Sequence, residues 1–290
     1  MTAARASVVR ARLLLPLIAA AFLGVFHPAV AGTLDRVRAA GVFKIGYRTD
    51  APPFSYNSAI GEPAGYIVDL CREVAAATKQ ELGLKDLKVE YVTVTAEDRF
   101  DAVKSGRIDL LCEATTVTLA RRQLVDFSLM TFIDGASVMV RSDGPQSFKA
   151  LGGHKIGVHA GTTTADELRR TLADLKVEAE VVPVTDHADG VKRLESGELA
   201  AYFADRAILT YLLLGEGAPK TLRISKEYFT REPYALALAR GDDDFRFLVD
   251  RTLARLYRGS AINAIFARSF GKAKASEILL ALYAINALPE

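Results

Sequence analysis

VKSGRIDLL (103–111) and RLESGELAAY (193–202) share one plan: the end of a helix, a glycine, then an apolar strand. Gly106 and Gly197 suit the left-handed backbone that terminates a helix. Each stretch closes a run in which strand and helix signals alternate, so the chain reads as two α/β units built alike. In the first unit a helix at 34–40, capped by Thr33 and stopped by Gly41, leads into a strand at 42–47. A helix at 67–81 follows with Ile67, Leu70, Val74 and Ala77 on one face, then a strand at 89–94, a helix at 98–104 and a strand at 108–112. The second unit places strands at 155–158, 180–183 and 199–203 and helices at 165–175 and 187–194. This alternation points to an α/β fold with mainly parallel sheets. A strand at 234–239 comes next, then an amphipathic helix with Phe245, Leu248, Val249, Leu253 and Leu256 on its buried face, and further helices to Ala287.

The stretches 135–141 and 231–239 lie where one unit gives way to the other and read as two crossings between lobes. The first lobe is then discontinuous, 32–141 plus 233–290, and 142–232 forms the second. A site in the cleft would draw residues from both, and closure around a ligand would be a hinge motion.

EATTVTLARRQLVDFS (113–128) has the features of a carboxylate clamp. Thr115, Thr116 and Thr118 follow an apolar strand, and Thr118 can cap a short helix through Arg121 and Arg122. Hydroxyls and unpaired N–H groups at the helix start, with a guanidinium one turn in, suit an anion. Taken alone the stretch is ambiguous, since threonine caps and surface arginines occur in most domains.

Residues 1–31 read as an export signal: Arg5, Arg10 and Arg12 precede an apolar run at 13–26, and Ala29, Val30 and Ala31 form an A-x-A cleavage site. The run falls short of the ~20 residues that span a bilayer, and Pro16 interrupts it. The chain carries 37 basic and 35 acidic residues, and loss of the three leader arginines brings the two near equality. With no basic cluster interleaved with aromatics, nucleic acid is excluded as a partner and a small molecule is expected. Cys71 and Cys112 read either as two buried thiols or, in an oxidising compartment, as a disulfide. No histidine or carboxylate cluster accompanies them at metal-ligand spacing, so neither a metal nor a cofactor is expected.

Taken together, IGYRTDAPPFSY (45–56), GEPAGYIVDL (61–70), the clamp, GVHAGTTT (157–164) and ELAAYFADRAIL (198–209) resemble the periplasmic substrate-binding proteins of amino-acid ABC importers, solute-binding protein family 3. The resemblance covers essentially the whole mature chain and implies the two-lobed type II periplasmic binding protein fold. Within the family the chain is most similar to the glutamate/aspartate-binding group, on Arg48, CEATT, TDHADG (185–190) and Asp205, and that group also carries cysteines matching Cys71 and Cys112. The resemblance implies that Arg121 holds the ligand α-carboxylate, helped by Thr116 and by Thr162 from the other lobe. Asp205 would receive the α-ammonium, and Arg48 and His187 the side-chain carboxylate. It also implies a periplasmic monomer that binds a free amino acid, acidic by preference, and docks on a membrane permease.

Bland readings stand beside these. Arg48 could be a solvated strand-end arginine, His187 a helix-start residue, Asp205 the N-cap of a helix at 206–214, and Phe54 and Tyr56 either core aromatics or a lid. Ala96 and Ala114 stand where the group places small hydroxyl residues, which brings in a neutral polar ligand such as glutamine as the second choice. The other alternative is a periplasmic enzyme similar to cyclohexadienyl dehydratase. Glu113, at the head of the clamp, is the carboxylate considered for its chemistry.

Overall fold

The computed structural model describes Thr2 and residues 32–215 and 220–290. The export segment read at 1–31 lies, but for Thr2, outside the described residues. The first part of the chain runs α1 (Thr33–Ala40), β1 (Val42–Tyr47), β2 (Asp50–Ala51), β3 (Ser55–Asn57), β4 (Pro63–Ala64), α2 (Tyr66–Glu81), β5 (Lys88–Thr93), α3 (Arg99–Lys104), β6 (Leu110–Leu111), α4 (Leu119–Arg122) and β7 (Asp126–Asp134). The middle part holds β8 (Ala136–Arg141), β9 (Lys155–His159), α5 (Thr163–Asp174), β10 (Glu180–Val184), α6 (His187–Glu195), β11 (Ala201–Asp205), α7 (Arg206–Leu214) and β12 (Leu222–Ile224), with a 3-10 turn at Phe148–Leu151. β13 (Glu232–Leu238), α8 (Asp243–Arg258), α9 (Ala261–Phe270) and α10 (Glu277–Asn286) follow.

Two five-stranded sheets result, ordered β5-β1-β6-β13-β7 and β10-β9-β11-β8-β12, beside a small sheet of β2, β3 and β4. Both large sheets have the same plan. Three strands pair in parallel, as the βαβ signals require, and a strand arriving from the other part of the chain inserts antiparallel next to the third. Each large sheet therefore has two parallel and two antiparallel pairings, with four strands running one way and β13 or β8 against them. The antiparallel pairings are those of β13 with β6 and β7 and of β8 with β11 and β12; of these strands, β7 and β12 have no counterpart in the sequence reading.

Strand alternation puts one apolar face on each side of both sheets. Leu236 and Leu238 pack with Phe43, Ile45, Leu70 and Phe245 on one side, while Ala235, Ala237, Ile108 and Leu111 pack on the other. In the second sheet Ala201 and Phe203 face Val158 and Leu168, and Tyr202 and Ala204 face Met139 and Leu194. A fully buried ring such as Phe245 contributes roughly 1.5–3 kcal/mol over leaving it in water.

β8 pairs with β11 and β12, so 136–141 belongs to the second sheet. The first crossing thus falls at Gly135. Its amide neighbourhood is tight: Ala136 N donates to Thr230 Oγ1 at 2.7 Å, and a Cβ at Gly135 would lie 2.4 Å from the Thr230 carbonyl oxygen. Only glycine lets the two crossing strands approach this closely. At the same level Asp134 and Glu232 stand opposite each other in the β7–β13 register.

Of the two threonine caps expected from the sequence, one is found. Thr33 lies inside α1, and its N–H donates instead to Asp242 Oδ2 at 2.7 Å from the other end of the chain. Thr118 does cap α4, accepting from Arg121 N at 3.1 Å. A disulfide joins Cys71 on α2 to Cys112 beyond β6. Phe54 is fully buried, edge-on to Phe132 and Tyr234, which makes it a core residue; Tyr56 packs against Tyr211.

Candidate functional site

Strand ends and helix starts of both lobes converge on one narrow cleft. Arg48, Thr116, Arg121, Thr162, His187 and Asp205 all line it. Contacts between the lobes hold it closed. Arg48 Nη2 lies 3.1 Å from His159 Nε2, Thr163 Oγ1 donates to Thr116 Oγ1 at 3.2 Å, and Arg99 Nη2 reaches the Gly161 carbonyl at 3.4 Å.

Arg121 sits one turn into α4, held by the Thr118 cap, with its guanidinium over the Phe100 ring and Nη1 donating to the Thr116 carbonyl at 2.8 Å. Among the described residues it has no ion-pair partner. Burial and then the neighbouring charge of Arg99 lower its pKa to about 10, the mark of a cation short of an anion. The threonines nearby contribute less than expected. Thr116 Oγ1 donates to Glu232 Oε2 at 2.5 Å, and Thr162 Oγ1 donates to the His159 carbonyl at 2.7 Å while capping α5 through Ala165 N. Both hydroxyl protons are committed within the protein.

Asp205 ends β11 at the start of α7 but makes no cap bond there. The cap comes from Asp134, whose Oδ2 accepts from Ala207 N at 2.9 Å. The Asp205 carboxylate is left facing the cleft, with Thr164 Oγ1 at 3.2 Å. Burial first, then the charges of Glu232 and Asp134, push its pKa up to about 8. Asp134 itself is raised to about 6, again chiefly by burial. An ammonium arriving beside Asp205 would relieve this crowding of negative charge.

The linkage has a definite sign. Closure of an empty cleft buries Asp205 and favours its protonated form, so the closed empty state loses ground as pH rises from the ordinary carboxylate range through about 8. A ligand ammonium favours the carboxylate and removes the dependence. Small-angle scattering of ligand-free protein should show expansion between about pH 4 and pH 8, with little change when an amino acid saturates the cleft. Equal pH responses with and without ligand would contradict this role for Asp205.

At the other end of the cleft Arg48 is buried, and its Nε and Nη2 donate to Asp50 Oδ1 and Oδ2 at 2.8 and 2.6 Å. Burial works against the guanidinium charge, but Asp50 outweighs it and raises the Arg48 pKa. His187 opens α6, and its Nδ1 lies 2.6 Å from the Tyr202 hydroxyl. Burial and then Arg48 lower its pKa to about 3, so it is a neutral hydrogen-bonding group at pH 7.

Several residues of this region escaped the sequence reading. Arg99, buried at the first position of α3, lines the cleft and pairs with buried Glu113 at 3.2 Å. Its position was a usable signal, since a cation at a helix start opposes the helix dipole and needs another reason to be there. Glu113, the carboxylate considered for catalysis, also accepts from Thr115 Oγ1 and is not in the cleft lining. Glu232, which accepts from Thr116 in one lobe and Thr163 in the other at 2.5 and 3.1 Å, is an acid at the start of an otherwise apolar strand.

Residues 43–272 match the model of bacterial extracellular solute-binding proteins, family 3. The chain is 32% identical over 241 residues to the L-glutamate/L-aspartate-binding protein of Pseudomonas aeruginosa, covering 82% of this chain and 80% of that one. It is 28% identical over 230 residues to the glutamate/aspartate import solute-binding protein of Escherichia coli K12, covering 79% and 76%. Among solved structures, an ancestral amino-acid-binding protein described as a precursor of cyclohexadienyl dehydratase superposes with a TM-score of 0.71 at 25% identity, over 82% of this chain and 99% of that one. The two-lobed fold is that of the type II periplasmic binding proteins, and the chain belongs to the bacterial extracellular solute-binding proteins, family 3.

Proposed function

We propose that this protein is the extracytoplasmic binding component of an amino-acid ABC importer, exported by its cleaved leader. It takes glutamate or aspartate into the interlobe cleft and delivers it to a membrane permease. The observation that carries this reading is the opposition across the cleft of Arg121, a cation with no carboxylate partner among the described residues, and Asp205, a carboxylate whose pKa is raised by burial and by its acidic neighbours. A zwitterion supplies the missing charge to each. Arg48, Arg99 and His187 offer donors to the ligand side chain, and the similarity to glutamate/aspartate-binding proteins of Pseudomonas and Escherichia supports an acidic one. A neutral polar amino acid is the second reading, favoured by the pairing of Arg48 with Asp50 and of Arg99 with Glu113, which leaves little net positive charge.

Binding without chemistry is the reading for the cleft, and the domain division follows the two sheets, with 136–230 as the second lobe. A thermal-shift screen of the twenty amino acids tests the ligand class. Glutamate or aspartate should raise the midpoint most and be recovered unchanged after incubation. A shift from none of the twenty would end the amino-acid reading.

A further inference from the structure

Asp50 occupies Arg48 in the two-pronged way that a ligand carboxylate would use. We propose that Asp50 is a specificity-determining residue: by holding the Arg48 fork it weakens the discrimination between an acidic side chain and the corresponding amide. The inference rests on the amino-acid reading above, with the ligand side chain directed at Arg48 and His187. Asp50 Oδ2 also lies 3.6 Å from His159 Nε2, so one carboxylate is shared between residues of both lobes at this end of the cleft. The Arg48 side chain is 6% exposed and that of Asp50 23%, so the pair is largely withdrawn from water yet still within reach of a group entering the cleft.

A side-chain carboxylate entering there meets an arginine whose Nε and Nη2 are engaged, together with a like charge. An amide meets complementary partners, because its NH₂ can donate to Asp50 while its carbonyl accepts a remaining Arg48 N–H. Exchange of Asp50 for asparagine keeps the shape, removes the competing charge and frees the fork for the ligand.

Calorimetric titration with glutamate and glutamine tests this in wild type, Asp50→Asn, Arg48→Met and the double variant. Wild type should separate the two ligands by about tenfold or less, and Asp50→Asn should raise the glutamate-to-glutamine affinity ratio by at least about tenfold more. In the Arg48→Met background the same exchange should change the ratio by less than about threefold, since no fork remains to be freed. Should the asparagine variant fail to fold, Asp50→Ser makes the same comparison. A wild type that favours glutamate by more than about a hundredfold, or a ratio unchanged by Asp50→Asn with binding retained, overturns the inference and leaves the amino-acid reading standing. Binding of no amino acid by wild type overturns both.

Discussion

Arg121→Ala should abolish binding of every amino acid that the wild type accepts, a loss of at least about a hundredfold, or about 3 kcal/mol. The α-carboxylate is common to all such ligands, and its other expected partners cannot replace the guanidinium. Thr116 has given its hydroxyl proton to Glu232, and Thr162 has given its own to the His159 carbonyl. Arg99, the next cation, is paired with Glu113. Without Arg121 a carboxylate in the closed cleft would face Asp205 with little compensation, and stranding a buried charge costs more than the pair's own attraction. The native fold should survive, because Arg121 makes no ion pair among the described residues and lies on a single-turn helix. Calorimetry on the variant, with circular dichroism to establish its fold, makes the measurement. Affinity retained within threefold would place the carboxylate elsewhere.

Cys71→Ser with Cys112→Ser should lower stability by about 4 kcal/mol, the loop-closure value of the chain-entropy model for cysteines separated by 41 positions. The bridge ties α2, whose Leu70 and Val74 are fully buried, to the strand that leads into the clamp. Loss of the bridge should therefore register twice: as a lower urea midpoint, and as weaker ligand affinity through a looser approach to Thr116 and Arg121. A midpoint shift worth less than about 1 kcal/mol would show that the reduced, unfolded chain is already restrained. Alkylation of two free thiols in native exported protein would contradict the bridge itself.

The parts of this fold written locally in the chain are legible in it. Helix–glycine–strand signals place β1, α2, β9, α6 and α7 to within a residue or two, because periodicity and left-handed glycines act over short spans. β7 and β12 were missed for the opposite reason: they join their sheets through partners distant in the chain, β7 lacks strict alternation and β12 is only three residues long. The same division runs through the site. Arg48, Thr116, Arg121, Thr162, His187 and Asp205 are brought to one cleft, each at a strand end or helix start that the sequence marks. What each side chain does there depends on neighbours that only the folded chain supplies. Asp50 occupies Arg48, Asp134 takes over the α7 cap in place of Asp205, and Glu232 bridges a threonine from each lobe. These are three-dimensional charge balances, and no spacing rule encodes them.

Titration of the wild type with L-glutamate and with N-acetyl-L-glutamate tests the central claim, recognition of a free α-amino acid by Arg121 and Asp205, most directly. The account predicts one site per chain for L-glutamate at micromolar affinity or tighter, about −8 kcal/mol or beyond. The acetylated compound, which keeps both carboxylates but carries no ammonium for Asp205, should bind at least about a hundredfold more weakly. Equal affinity for the two compounds, or binding of neither, would contradict it.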